Sequence, residues 1–102
     1  MNRGNNDIYQ NDEILFDLAD LFKVFGDSTR LRIMNVLFSG PTSVGEIAEV
    51  LDMSQSAISH QLKSLNDNNL VSSKRSGKSM YYELADDHVK TIFNTGLEHI
   101  EE

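Results

Sequence analysis

Cysteine and tryptophan are absent from this chain of 102 residues, proline occurs once, and 9 basic residues stand against 16 acidic ones. Without cysteine there is no disulfide, no thiol redox switch and no thiolate metal site. No run of eighteen apolar residues occurs, so the sequence offers no membrane span. The opening stretch, MNRGNNDIYQND, is polar and lacks the apolar segment of a secretory signal. These absences lead us to expect a cytoplasmic protein. The net charge of −7 argues against a non-specific polyanion binder. No nucleophile–base pair and no glycine-rich phosphate loop is found, so an enzyme is not expected.

What is present is helical periodicity, punctuated by capping residues. The first ten residues read as a flexible arm, and residues 11–102 as one domain. Asn11 or Asp12 can cap a helix carrying Ile14, Leu15, Leu18, Leu21, Phe22 and Phe25 at helical spacing, ended by Gly26. Asp27 caps a second helix with Leu31, Ile33, Met34, Leu37 and Phe38, closed by SGPT. Ser43 and Glu46 form the capping-box pattern of a third, with Val44, Ile47, Ala48 and Leu51. Ser54 caps a fourth, whose apolar positions are Ala57, Ile58, Leu62 and Leu65. Two β-leaning runs, LVSSKR and SMYYEL, are expected to join around Ser76-Gly77 as a hairpin. A fifth helix begins near Asp86, with Val89, Ile92, Phe93, Leu97 and Ile100 along one side.

Charge divides along this order. Between Ser54 and Tyr81, Lys63, Lys74, Arg75 and Lys78 face Asp67 alone, whereas from Glu83 onward six carboxylates face Lys90. One part suits phosphate and another suits cations. Two short helices with a tight link and a basic hairpin make a winged helix-turn-helix order, mainly α with a β-hairpin wing. The second helix of such a unit presents its early residues to base edges in the major groove. Gln55, Ser56 and Ser59 supply groups able to bond base edges, and Lys63 is placed for a phosphate. His60 lies on the same helix and is assigned to DNA contact or packing. Lys74, Arg75 and Lys78 make the wing basic.

VFGDSTRLRIMNVL, SVGEIAEVLDMSQSAISHQLKSL and LVSSKRSGKSMYYEL resemble the successive signatures of the ArsR/SmtB family of winged-helix repressors, over most of the chain from about Phe22 onward. Ser28 departs from the proline frequent there in the family, an acceptable change at a helix start. The resemblance implies a homodimer, paired through its terminal helices, that leaves a pseudo-palindromic operator when an inducer, usually a metal ion, binds. The family's thiolate site on the third helix has no counterpart, because Ser43 stands where cysteine is expected.

The fifth helix offers a different donor set. His88 and His99 lie about 20° apart around a helix axis but roughly 16 Å apart along it, so one helix cannot bring both to one ion. Asp86 accompanies His88, and Glu102 follows His99 on the same face. Antiparallel pairing of two copies would join Asp86 and His88 of one chain to His99 and Glu102 of the other. That N₂O₂ set suits tetrahedral Zn(II), with Co(II) a close mimic. The spacing is similar to the fifth-helix site of the family's zinc and cobalt sensors. In those relatives a ligating histidine bonds a backbone carbonyl just after the recognition helix, and the matching position here is Asn69. Two other readings stay open from sequence: a DNA-binding regulator answering a non-metal signal, and a winged-helix protein-interaction module.

Overall fold

The computed structural model describes residues 11–102, so the arm assigned to residues 1–10 lies outside the described residues. Five helices and three strands follow in the order α1 (Asp12–Phe25), α2 (Ser28–Leu37), β1 (Thr42–Ser43), α3 (Val44–Leu51), α4 (Gln55–Asp67), β2 (Val71–Ser76), β3 (Ser79–Leu84) and α5 (Asp87–Glu101). Each helix starts at a side chain that accepts a backbone N–H from the first turn: Asn11, Asp27, Ser43, Ser54 and Asp86. At α3 the arrangement is reciprocal, because the Glu46 carboxylate also accepts the Ser43 N–H at 3.0 Å. That N–H, and secondarily the Ser43 hydroxyl, holds the Glu46 carboxyl below its ordinary range.

The core lies where α2, α3 and α4 meet the sheet. Ile33, Met34, Ile47, Ile58, Leu62 and Leu65 are fully enclosed. Two polar ties fix α2 against the helix-turn-helix. Arg30 Nε donates to Gln61 Oε1 at 3.1 Å, and Arg32 Nη2 donates to the Leu51 carbonyl at 3.4 Å. The turn between α3 and α4 runs through Asp52, in the left-handed region at φ 55°, and closes with the Met53 N–H on the Ala48 carbonyl at 2.9 Å. A short polar side chain tolerates that conformation better than a branched one.

Two details differ from the sequence expectation. Ser76 belongs to the strand, paired with Ser79, and the turn is Gly77-Lys78, with Gly77 at φ 63°. A positive φ at the first turn residue alone is the pattern of a Gly-first hairpin turn, whose twist suits the flanking strands. The sheet also has a third member, since β1 pairs antiparallel with β3 through Thr42↔Tyr82 and Ser43↔Tyr81. Two residues are too few for an alternation to show in sequence.

Replacing Leu62 by alanine removes a side chain with no exposed area. It should lower stability by about 2–5 kcal/mol, read from urea unfolding. Because the Glu46 carboxyl is held low in the folded state, its contribution is complete above the unfolded carboxylate pKa and fades as pH falls through the folded value. Glu46→Gln should flatten that acid limb of the stability profile.

Candidate nucleic-acid interface and metal-ligating residues

Burial of Ile58, Leu62 and Leu65 turns the opposite side of α4 outward, and Gln55, Ser56, Ser59, His60 and Lys63 are all exposed there. His60 thus takes no part in core packing. Gln61, on the inner flank, is held by Arg30 and fixes the rotation of the helix. The wing adds Lys74, Arg75 and Lys78, all exposed. Cross-strand register puts Lys74 opposite Tyr81 and Arg75 opposite Met80. Residues directly opposed share a face, so Lys74 and Arg75 project from opposite sides of the wing.

Between α4 and the wing lies an open crevice of about 410 Å³, lined by Ser43, Gly45, Gln55, Ser59, Lys78 and Met80 among others. It joins the start of α3 to α4 and the wing. The place of Ser43, Gly45 and Met80 on this crevice is not legible in the sequence, because it depends on β1 pairing with β3. The Lys63 Nζ sits 3.0 Å from Asp67 Oδ2, one helical turn on. The i,i+4 spacing carries that signal in sequence. The pair is exposed, so it holds Lys63 only weakly and leaves it available to a phosphate.

At the other end of the chain, Asp86 Oδ1 caps α5 by accepting the Val89 N–H at 3.1 Å, with His88 Nδ1 3.7 Å from the same oxygen. The His88 side chain is 95% exposed, so these two donors stand together facing solvent. His99 lies toward the far end of the helix, beside a shallow hollow lined by Phe22, Thr91, Ile92, Thr95 and Gly96. Glu102 follows the last helical residue and is exposed. Among the described residues no three potential ligands converge within one chain. Asp86 and His88 are brought together, but His99 and Glu102 are not brought to them. Asn69 is exposed, at φ 60°, and is not part of the hollow beside His99.

Around these donors, α5 is only half covered. Val89 is buried and Phe93 stacks on Phe38 with ring centroids 5.0 Å apart. Leu97 and Ile100 are exposed, as are Ile14, Leu15, Leu18 and Phe22 of α1. Phe16, outside the periodic apolar set read from the sequence, is exposed as well.

A capped helix-turn-helix with an exposed polar recognition helix and a basic two-stranded wing defines a winged-helix DNA-binding domain. Residues 27–73 match the model of the bacterial regulatory protein arsR family. The chain is 36% identical over 85 residues to the transcriptional repressor SmtB homolog of Synechocystis, covering 83% of this chain and 64% of that relative. It is 31% identical over 100 residues to the cadmium resistance transcriptional regulatory protein CadC homolog of Staphylococcus aureus, covering 97% of this chain and 81% of that one. Among solved structures, the homodimeric winged helix-turn-helix domain of Mb0332 from Mycobacterium bovis superposes with a TM-score of 0.85 at 27% identity, over 99% of this chain and 92% of that one. The chain belongs to the ArsR family of bacterial transcriptional regulators, and its relatives are regulators of transcription, not enzymes. No helix among the described residues is long and apolar enough to cross a membrane.

Each wing cation that meets a phosphate releases about one counterion. Arg75→Ala should therefore weaken binding to a promoter fragment and lower the magnitude of the log–log salt slope by about 1, measured by fluorescence anisotropy across a salt series.

Proposed function

We propose that this chain is a metal-responsive repressor. In this reading it binds a pseudo-palindromic operator as a homodimer and leaves it when Zn(II), or Co(II), is held between the two fifth helices. The observation that carries the proposal is the exposed face of α5. It presents Asp86 and His88 at one end and His99 and Glu102 at the other, on a helix whose apolar side is also uncovered. The homodimeric Mb0332 domain supports pairing, and the name of the cadmium-resistance relative supports a metal signal. The donor set is nitrogen and oxygen without sulfur, which fits Zn(II) and Co(II) better than softer ions.

Asp86 and His88 of one protomer, with His99 and Glu102 of its partner, would hold the ion. A bound cation supplies there only positive charge and directional bonds between the protomers. The chain provides the connection to DNA. The Ala85 N–H, one residue before Asp86, donates to the Leu70 carbonyl at 3.0 Å, and the Leu70 N–H donates to the Leu65 carbonyl of α4 at 2.9 Å. The start of α5 is thus tied to the end of the recognition helix by two backbone hydrogen bonds. We assign Asn69, in the same link, as the carbonyl that accepts the second ring N–H of His99. A shift in the pairing of the fifth helices then changes the spacing of the two recognition helices, which must match one helical turn of DNA. Coupling is reciprocal, so DNA weakens metal binding by the same factor.

A second reading, an apolar inducer, draws on a hollow of about 250 Å³ lined by Phe22, Phe25, Leu31, Ile92 and Phe93 among others. Titration with Co(II), followed by ligand-field absorption, separates the two. The expected result is intense tetrahedral bands saturating at one ion per chain, bleached by Zn(II) and lost in His99→Ala, with metal-induced release from a promoter fragment also lost. Absence of the bands, with no Zn(II) bound in equilibrium dialysis, would remove the metal and favour the apolar hollow as the inducer site.

A further inference from the structure

Gly96 lies within α5, where glycine weakens a helix, and nothing in its own chain requires it. A Cβ built there meets no atom within 4 Å, and its φ is not in the left-handed region. Its effect is on the shape of the surface. Ile92, Thr95, Gly96 and His99 occupy positions i, i+3, i+4 and i+7 and line one shallow hollow, walled by Phe22 of α1. Four residues at that spacing form the hole into which a facing helix inserts a side chain.

The occupant is a second copy of this chain. Phe22, the apolar wall of this hollow, is 54% exposed, and Ile92 beside it is only half-buried, while Leu97 and Ile100 line the neighbouring hollow with Phe25 and Phe93. The register comes from the donors, so the inference rests on the metal reading above. Setting Asp86 against Glu102, and His88 against His99, places the two-fold axis beside Phe93 and Asn94. The same register puts Ile92 of the partner subunit opposite the gap between Thr95 and Gly96, at the centre of the hole. Knob and hole then come from one set of residues, as a two-fold interface demands. The donors choose the register by chemistry and the hollow marks it by shape; the two agree.

We infer that Gly96 is a positioning residue. Its missing side chain admits Ile92 of the partner subunit and sets the separation of the fifth helices. Because His99 forms one wall of the hole, that separation also fixes where its imidazole meets His88 of the partner subunit.

Sedimentation velocity on the metal-free full chain tests the packing, and Co(II) absorption tests its consequence. Gly96→Leu fills the hole and should raise the dimer dissociation constant by roughly tenfold or more, an effect of at least about 1.4 kcal/mol. It should also weaken the tetrahedral bands, with helicity by circular dichroism unchanged. Adding Ile92→Ala removes the displaced knob and should restore part of the dimer affinity. Gly96→Ala is the safeguard against misfolding: it should weaken the dimer severalfold although alanine favours the helix. Higher thermal stability of that variant with unchanged dimer affinity overturns the inference. Wild-type chain without Co(II) bands, but with Gly96-dependent dimerisation, refutes the metal site and upholds the packing. Bands and dimer both unchanged in Gly96→Leu refute the packing and leave the metal site standing.

Discussion

The structure depends on the burial of one side of α4. Ile58, Leu62 and Leu65 have no accessible surface, and each removes an apolar side chain from water at about 1.5–3 kcal/mol. Their spacing leaves one rotation of the helix available, and Arg30 secures it by bonding Gln61 on the flank. Which residues of α4 would face DNA follows from that rotation, because Gln55, Ser59 and Lys63 are outward only while the other three are inward. The helix also anchors the chain beyond it. Its carboxyl end is closed by the Leu70 N–H on Leu65, and the Leu70 carbonyl then receives Ala85 at the threshold of α5.

The fifth helix works under the opposite condition. It buries Val89 and stacks Phe93 on Phe38, then runs on with Leu97 and Ile100 in the open. The helix is thus covered mainly along its first half, with Asp86 and His88 at one end and His99 and Glu102 at the other. Histidines eleven positions apart share a face but not an ion, since roughly 1.5 Å of rise per residue separates them far beyond any coordination sphere. In the proposed reading an antiparallel copy of the same helix completes the donor set.

Much of this was legible because helix starts are local. Asp27, Ser43 with Glu46, and Ser54 announce their helices within four residues of chain, and the structure shows each side chain accepting the N–H expected of it. Asn11 or Asp12 was undecided from sequence; the structure selects Asn11. What was not legible is tertiary. Thr42 and Ser43 become a strand only because β3 is beside them, and the hairpin turn moved one residue because the pairing of Ser76 with Ser79 decides the register. Phe16 fell outside the helical stripe and is 68% exposed, as that position implies. The candidate donors on α5 could be chosen by spacing, but the convergence proposed for them would involve a second chain, which no single sequence specifies in coordinates.

The separation of charge along the chain has a consequence for how the molecule responds to its solution. The basic wing, with Lys74, Arg75 and Lys78, would draw the protein to the phosphates of DNA, and dissolved salt weakens such an attraction. The acidic stretch from Glu83 to Glu102 carries six carboxylates against Lys90, and an antiparallel pair of fifth helices sets two such stretches side by side. Salt screens that mutual repulsion. In that arrangement ionic strength would act with opposite sign on the two associations, loosening the hold on DNA while easing the hold of one copy on the other.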